Sequence, residues 1–213
     1  MAEAIVPVEI ASQRRSPAYT SEDALARLVA GNERFVRGEA RFPTVQKEIL
    51  AALASGQRPY ATVLGCSDAR VPPELIFDAG FGELFIVRVA GNVISPEVMG
   101  TLQYAGVHLR TPLFVVLGHE HCGAVKAALA ARRGAQEPAR IALLLDSILP
   151  GLRDLPADLI PAAEIRAAVE ANVRWAMQQI LETPEAKARL VEGAMKLVGG
   201  VFEFESGRVR FLP

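Results

Sequence analysis

Three short apolar runs constrain this chain most: Tyr60–Leu64, Leu84–Val89 and Leu113–Leu117. Each is too short for a buried helix and carries the aliphatic and β-branched residues of a parallel strand covered on both faces. Helix starts fall between them. Pro72-Pro73-Glu74 opens one, and Ser95-Pro96-Glu97 opens another, with a serine placed as N-cap and a proline whose fixed φ suits the first turn. A further helix opens at Cys122 and runs through alanines to Arg132. This alternation predicts an α/β fold: a doubly wound, mainly parallel β-sheet core with flanking helices.

The segments around this core extend the pattern. Thr20-Ser-Glu-Asp23 reads as a capping box before a helix with Leu25, Leu28, Val29, Phe35 and Val36 on one stripe, stopped at Gly38. A second helix is expected over Val45–Ala54, ending at Gly56, and others over Ala139–Leu149 and Ala162–Leu181. Leu197–Glu205 and Arg208–Leu212, joined by a Ser206-Gly207 turn, predict C-terminal edge strands. The organisation expected is a flexible N-terminal arm over 1–20 and a single domain over 21–213. Arg14-Arg15 lies in that arm with no apolar segment after it, so an export signal is not expected and a cytoplasmic address is.

Composition narrows the function classes. The net charge is −1, which supplies no basic field for nucleic acid. Hydrophobic residues make up 51% of the chain, yet no apolar run approaches the roughly 20 residues that cross a bilayer. Neither nucleic acid nor membrane is an expected partner.

The chemistry lies in two cysteines. Cys66 and Cys122 each sit in a short polar cluster just after an apolar run, Cys66-Ser67-Asp68-Ala69-Arg70 and His119-Glu120-His121-Cys122-Gly123. Right-handed crossovers and a flavodoxin-like strand order would set the first and third strands side by side. That order brings Cys66 and His119, 53 residues apart, to neighbouring strand ends, where α/β proteins place ligands. Cys122 follows His119 by three residues, a spacing that chelates across one turn, and a helix N-terminus favours a thiolate. Two thiols and an imidazole are donors that zinc prefers, and three of them leave a position open for chemistry on water. A Cys66–Cys122 disulfide is the competing reading, although one bridge is an unusual need in a domain of this size.

These runs carry a resemblance. Cys66-Ser-Asp-Ala-Arg-Val71, Gly118-His-x-x-Cys-Gly123 and the Phe85-x-Val-Arg-Val-Ala-Gly-Asn92 segment resemble a β-class carbonic anhydrase, as do Gly199-Gly-Val-Phe202 and the final Ser-Gly-Arg-Val turn. The resemblance runs from about residue 20 to the C-terminus. It implies zinc-dependent interconversion of CO2 and bicarbonate by a homodimer or dimer of dimers, with Cys66, His119 and Cys122 as zinc ligands. Two thiolates cancel the charge of Zn2+, so the ion acidifies water less than an all-histidine site does. Asp68 would orient the nucleophile, and Arg70 would hold Asp68 through a bidentate ion pair. In some members the equivalent aspartate leaves the arginine and becomes a fourth ligand, and both states suit a Cys-x-Asp-x-Arg arrangement.

For the substrate pocket the resemblance implies Gln57 as an amide donor, Phe85, Ala90 and Tyr104 as apolar walls reaching in part across a dimer interface, and Gly123 beside them. Ala90 replaces a bulkier valine of plant-type members, and Ala69 replaces a more usual serine. A regulatory bicarbonate site in some bacterial members uses a tryptophan three residues before the first cysteine. Here that residue is Val63, and Trp175 lies in a distant helix, which disfavours such regulation although Val71 and Arg88 match its other features.

Other polar residues have plainer readings. His121 reads as a solvated group or proton shuttle rather than a ligand, and His108 as a partner for a helix C-terminus. Asp78 and Glu83 read as solvated or paired with arginines, and Gly91-Asn92 as a turn with unusual backbone angles. Three functions compete with CO2 hydration: hydrolysis of carbonyl sulfide or carbon disulfide on the same fold, a non-catalytic zinc-stabilised binding protein, and a dithiol redox protein.

Overall fold

The structure, a computed structural model, describes residues 19–41, 47–156 and 159–213. All of the expected arm before Tyr19, including Arg14-Arg15, lies outside the described residues, as do the first residues of the helix expected over 45–54.

The chain begins with α1 (Ser21–Val36), whose capping box forms as the sequence predicts. Thr20 Oγ1 accepts from the Asp23 N–H at 3.1 Å, and the Asp23 carboxylate accepts from the Thr20 N–H at 3.2 Å. After α2 (Lys47–Leu53) come β1 (Ala61–Gly65), α3 (Pro73–Ile76) and β2 (Leu84–Arg88). A single 3-10 turn at Ala90–Asn92 leads to α4 (Pro96–Tyr104), capped by Ser95, and on through a π-helical turn at Ala105–Leu109 to β3 (Leu113–His119). Next follow α5 (Gly123–Arg132), α6 (Ala139–Ile148), α7 (Pro161–Leu181) and α8 (Pro184–Val191). The last elements are β4 (Lys196–Phe202) and β5 (Val209–Phe211).

The sheet order is β2-β1-β3-β4-β5. The first four strands are parallel and β5 alone runs antiparallel to its neighbour β4. The expected adjacency of first and third strands is therefore present, with Gly65 of β1 opposite Leu117 of β3. Of the two C-terminal strands, only β5 is an edge; β4 is enclosed between β3 and β5. Its glycines explain how it fits there. A Cβ on Gly199 would stand 2.6 Å from Met177 Sδ and 2.8 Å from Val173 Cγ1, so its absence lets α7 lie close against the sheet.

Every residue of β1 and β3 is buried, which means that helices cover both faces of the sheet centre. Each fully buried Val, Leu or Phe there contributes about 1.5–3 kcal/mol relative to exposure. Asn32 of α1 ties the far end of the chain to this core. Its Nδ2 donates to the carbonyls of Ile76 (3.2 Å) and Gly207 (2.9 Å), while its Oδ1 accepts from the Val209 N–H (2.9 Å).

Local expectations meet different outcomes. Helix α8 was not anticipated, although Thr183 caps it as Ser95 caps α4. His108 falls within the π-helical turn, its ring 4.9 Å from that of Tyr104. Asp78 takes the paired form of its expectation: buried, it accepts from Arg34 Nε at 2.6 Å and from the Arg41 N–H at 2.8 Å. Glu83 pairs with Arg27. No described helix is long and apolar enough to cross a membrane.

Candidate metal centre

The C-terminal ends of β1 and β3 deliver the donors. Cys66 follows the last residue of β1, His119 closes β3, and Cys122 precedes the first residue of α5. His121, between them, adopts a left-handed φ of 52°, which reverses the chain within two residues and leaves its ring exposed. The two Sγ atoms and a nitrogen of His119 all lie within 4.8 Å of one another, and all three residues are buried. Both cysteines are free thiols, so the disulfide reading fails here.

The donor atoms are set up for a cation. His119 Nδ1 lies 2.8 Å from the Glu120 carbonyl, a contact that requires the proton on Nδ1 and leaves a lone pair on Nε2. That Nε2 is buried without a hydrogen-bond partner among the described residues. A buried acceptor left unpaired is unfavourable unless something absent from the chain satisfies it. A zinc ion would do so, and two sulfurs with one imidazole nitrogen form a donor set that fits it.

Without an ion the two buried thiols hydrogen-bond to each other. Cys66 is pulled down, chiefly by its hydrogen bond with the Cys122 thiol and further by the main-chain groups of Asp68 and Gly91, against the effect of its burial. Cys122 is pushed up because it keeps the proton that it donates, and because it is buried.

Asp68 and Arg70 face each other beside the donors. Arg70 Nε and Nη2 donate to the two carboxylate oxygens at 2.9 and 2.7 Å, and the Arg70 N–H adds a third bond at 3.0 Å. These bonds hold the Asp68 carboxyl well below the usual carboxylate range. Asp68 Oδ2 stands 3.9 Å from the orphaned His119 Nε2. Arg88 fastens the loop from behind, donating to the carbonyls of Cys66 (2.9 Å) and Asp68 (2.5 Å).

The pocket residues are less closely gathered. Phe85 and Tyr104 stack at 6.2 Å on the outer side of the sheet, with Tyr104 still 37% exposed. Ala90 opens the turn after β2, Gly123 is exposed at the start of α5, and Gln57 is exposed in the loop before β1. Trp175 is spent elsewhere, its Nε1 donating to the Ser147 carbonyl at 2.9 Å. A cavity of about 370 Å³ lined by Arg27, Arg34, Arg41, Tyr60, Asp78 and Glu83 lies toward the opposite, N-terminal ends of the strands. Its two carboxylates are already engaged by Arg34 and Arg27, so it does not compete for the role.

Two contributors were missed from sequence. Phe204 packs its ring edge-on to His119 at 5.9 Å and lies beneath the Arg70 guanidinium. Asn172, far along the chain, reaches the turn over Cys66. An asparagine among Ala168, Val169, Val173 and Ala176 on a buried helical stripe was the available signal for the second.

The sheet order and the donors at its switch point define a doubly wound α/β protein with a Cys-His-Cys centre. The family model for carbonic anhydrase matches residues 61–209, a stretch that contains all three donors, Asp68 and Arg70. Carbonic anhydrase 2 of Mycobacterium tuberculosis is 37% identical over 193 residues, covering 85% of this chain and 87% of its own. The carbonic anhydrase of Mycolicibacterium smegmatis is 39% identical over 184 residues, covering 85% and 88%. Among solved structures, the β-carbonic anhydrase CcaA superposes with a TM-score of 0.73 at 28% identity, covering 88% of this chain and 86% of its own. The protein belongs to the β-class carbonic anhydrase family.

Proposed function

We propose that the protein catalyses the reversible hydration of CO2 to bicarbonate and a proton, with zinc held by Cys66 Sγ, His119 Nε2 and Cys122 Sγ. The observation that carries this reading is the buried, unpartnered Nε2 of His119 within 4.8 Å of two free thiols, in a chain of this family. When bound, zinc supplies a Lewis acid that brings the ionisation of water toward neutral pH.

The chain supplies orientation. Asp68, kept ionised by Arg70, accepts a hydrogen bond from the attacking water and so points a lone pair at carbon. Arg70 keeps Asp68 in that pose through two parallel bonds, and Arg88 holds the backbone that carries both cysteine and aspartate. Gln57 is assigned as a donor to a substrate oxygen, and Phe85, Ala90 and Tyr104, with Gly123, as the walls of a dry pocket for a small apolar molecule.

A second copy of the chain completes the assembly in this reading, as a homodimer or dimer of dimers. Among the described residues β2 is an open sheet edge whose Leu84–Val87 are half-buried, with Phe81 and Val107 more than half exposed nearby, an arrangement that favours association. Residues 21–213 act as one domain, supported by the links from Asn32 of α1 to Ile76 of α3 and to Gly207 near the last strand. Two free thiols fit the reducing cytoplasm.

Stopped-flow CO2 hydration, with zinc quantified in the same sample, tests the proposal. One zinc per chain with rapid hydration is expected. Stoichiometric zinc without hydration would point to a binding protein, and faster sulfide release from carbonyl sulfide or carbon disulfide would point to a hydrolase.

A further inference from the structure

Gly91 is the joint of the turn that closes over the donors. Its N–H donates to Cys66 Sγ at 3.3 Å, and its carbonyl accepts from Asn172 Nδ2 at 2.8 Å. Asn172 is 2% exposed on the apolar stripe of α7. An aliphatic side chain would serve packing there, and a buried amide is retained at no loss only when hydrogen-bonded. The turn it grips is unusual. Gly91 and Asn92 both take left-handed φ values, 66° and 45°, which turn the N–H of Gly91 toward β1. A Cβ on Gly91 would stand 2.8 Å from Ile148 Cδ1 and 3.0 Å from Ala124 Cβ. Helices α5 and α6 therefore limit where the turn can sit, and Asn172 in α7 sets how its peptide groups are rotated.

We propose that Asn172 is a positioning residue for the metal centre: by holding the Gly91 carbonyl it aims the Gly91 N–H at Cys66 Sγ and tunes that sulfur as a zinc ligand. The inference rests on the zinc reading above. An N–H pointed at a thiolate disperses its charge and fixes the direction of its remaining lone pairs. Without the amide of Asn172 the Gly91 carbonyl is left buried without its donor, the turn rotates to recover one, and the N–H leaves the sulfur. Partners that orient a metal ligand in this way typically change metal affinity by about 10–100-fold when removed.

The test compares the wild type with Asn172→Leu, Asn172→Ser and Ile180→Ala. Ile180, buried on the same helix two turns further on, is the packing control. Two readouts are taken: zinc affinity by chelator competition, and the sulfur-to-metal charge-transfer band of the cobalt-substituted protein. Both Asn172 variants are expected to bind zinc about 10–100-fold more weakly and to shift the band. Ile180→Ala is expected to lower the melting temperature and leave both readouts alone. Wild-type affinity and an unshifted band in whichever Asn172 variant folds would overturn the inference, as would an equal loss of affinity in Ile180→Ala. If neither Asn172 variant folds, the wild type loaded with cadmium-113 decides: coupling between the Gly91 amide proton and the metal through Cys66 is expected, and its absence overturns the inference. A wild type that takes up no zinc instead overturns the zinc reading, before any variant is compared.

Discussion

The guanidinium of Arg70 stands 4.5 Å from the centroid of the Phe204 ring while its nitrogens grip both oxygens of Asp68. The same ring meets His119 edge-on, and the Phe204 N–H is itself held by Glu120 Oε2 at 3.0 Å. One aromatic residue from the end of the chain thus bears on the Asp68–Arg70 ion pair and on a candidate ligand together.

Replacing Phe204 by alanine removes this platform and leaves Arg70 free to sample other rotamers. A partly exposed cation–π contact is worth about 0.5–1 kcal/mol, which corresponds to a fall of roughly 2–5-fold in kcat/KM. Zinc content stays at the wild-type level, because no donor atom is lost. Stopped-flow kinetics with metal analysis on the same sample checks both halves.

Asp68→Asn keeps the shape of the side chain and loses its charge. CO2 hydration falls by at least about 100-fold, the lower range for a positioned acid–base group. Arg70→Lys is milder in metal content and still lowers the rate, since a lysine cannot reproduce the two parallel bonds. Wild-type turnover in Asp68→Asn would remove the aspartate from the mechanism.

Chelation removes activity and lowers the melting temperature together, because an ion that binds only the folded chain stabilises it. Readdition of zinc restores both. Cys122→Ser weakens the site, so the same chelator strips it at lower concentration. Differential scanning fluorimetry across a chelator series reads the effect.

Asn32→Ala acts chiefly on stability. It leaves the carbonyls of Ile76 and Gly207 and the Val209 N–H without the partners they have now. Urea unfolding is expected to show a loss of about 1–3 kcal/mol. Hydration per folded molecule falls by no more than in Phe204→Ala, because the turn at Gly207 that Asn32 holds also carries Phe204.

Local patterns made the central strands and most helices legible. The runs before Gly65 and Gly118 are short and apolar, and Ser95 and Pro96 mark a helix start with the atoms that cap it. The same kind of signal at Thr183-Pro184-Glu185 precedes α8, which sequence reading passed over. The Asp68–Arg70 contact was legible because the two residues are close in sequence and chemically matched. Phe204 was not, because the run from Leu197 to Glu205 reads as one strand, whereas β4 ends at Phe202 and the chain then turns over Arg70.

The order of residues alone determined the element types, the parallel sheet and the identity of the three donors, since period, caps and side-chain chemistry are local properties. Packing decided the rest. Where His119 directs its free nitrogen and which amide of α7 reaches Gly91 depend on groups far apart in the chain. Their energies exist only after burial removes water and helices fix the distances.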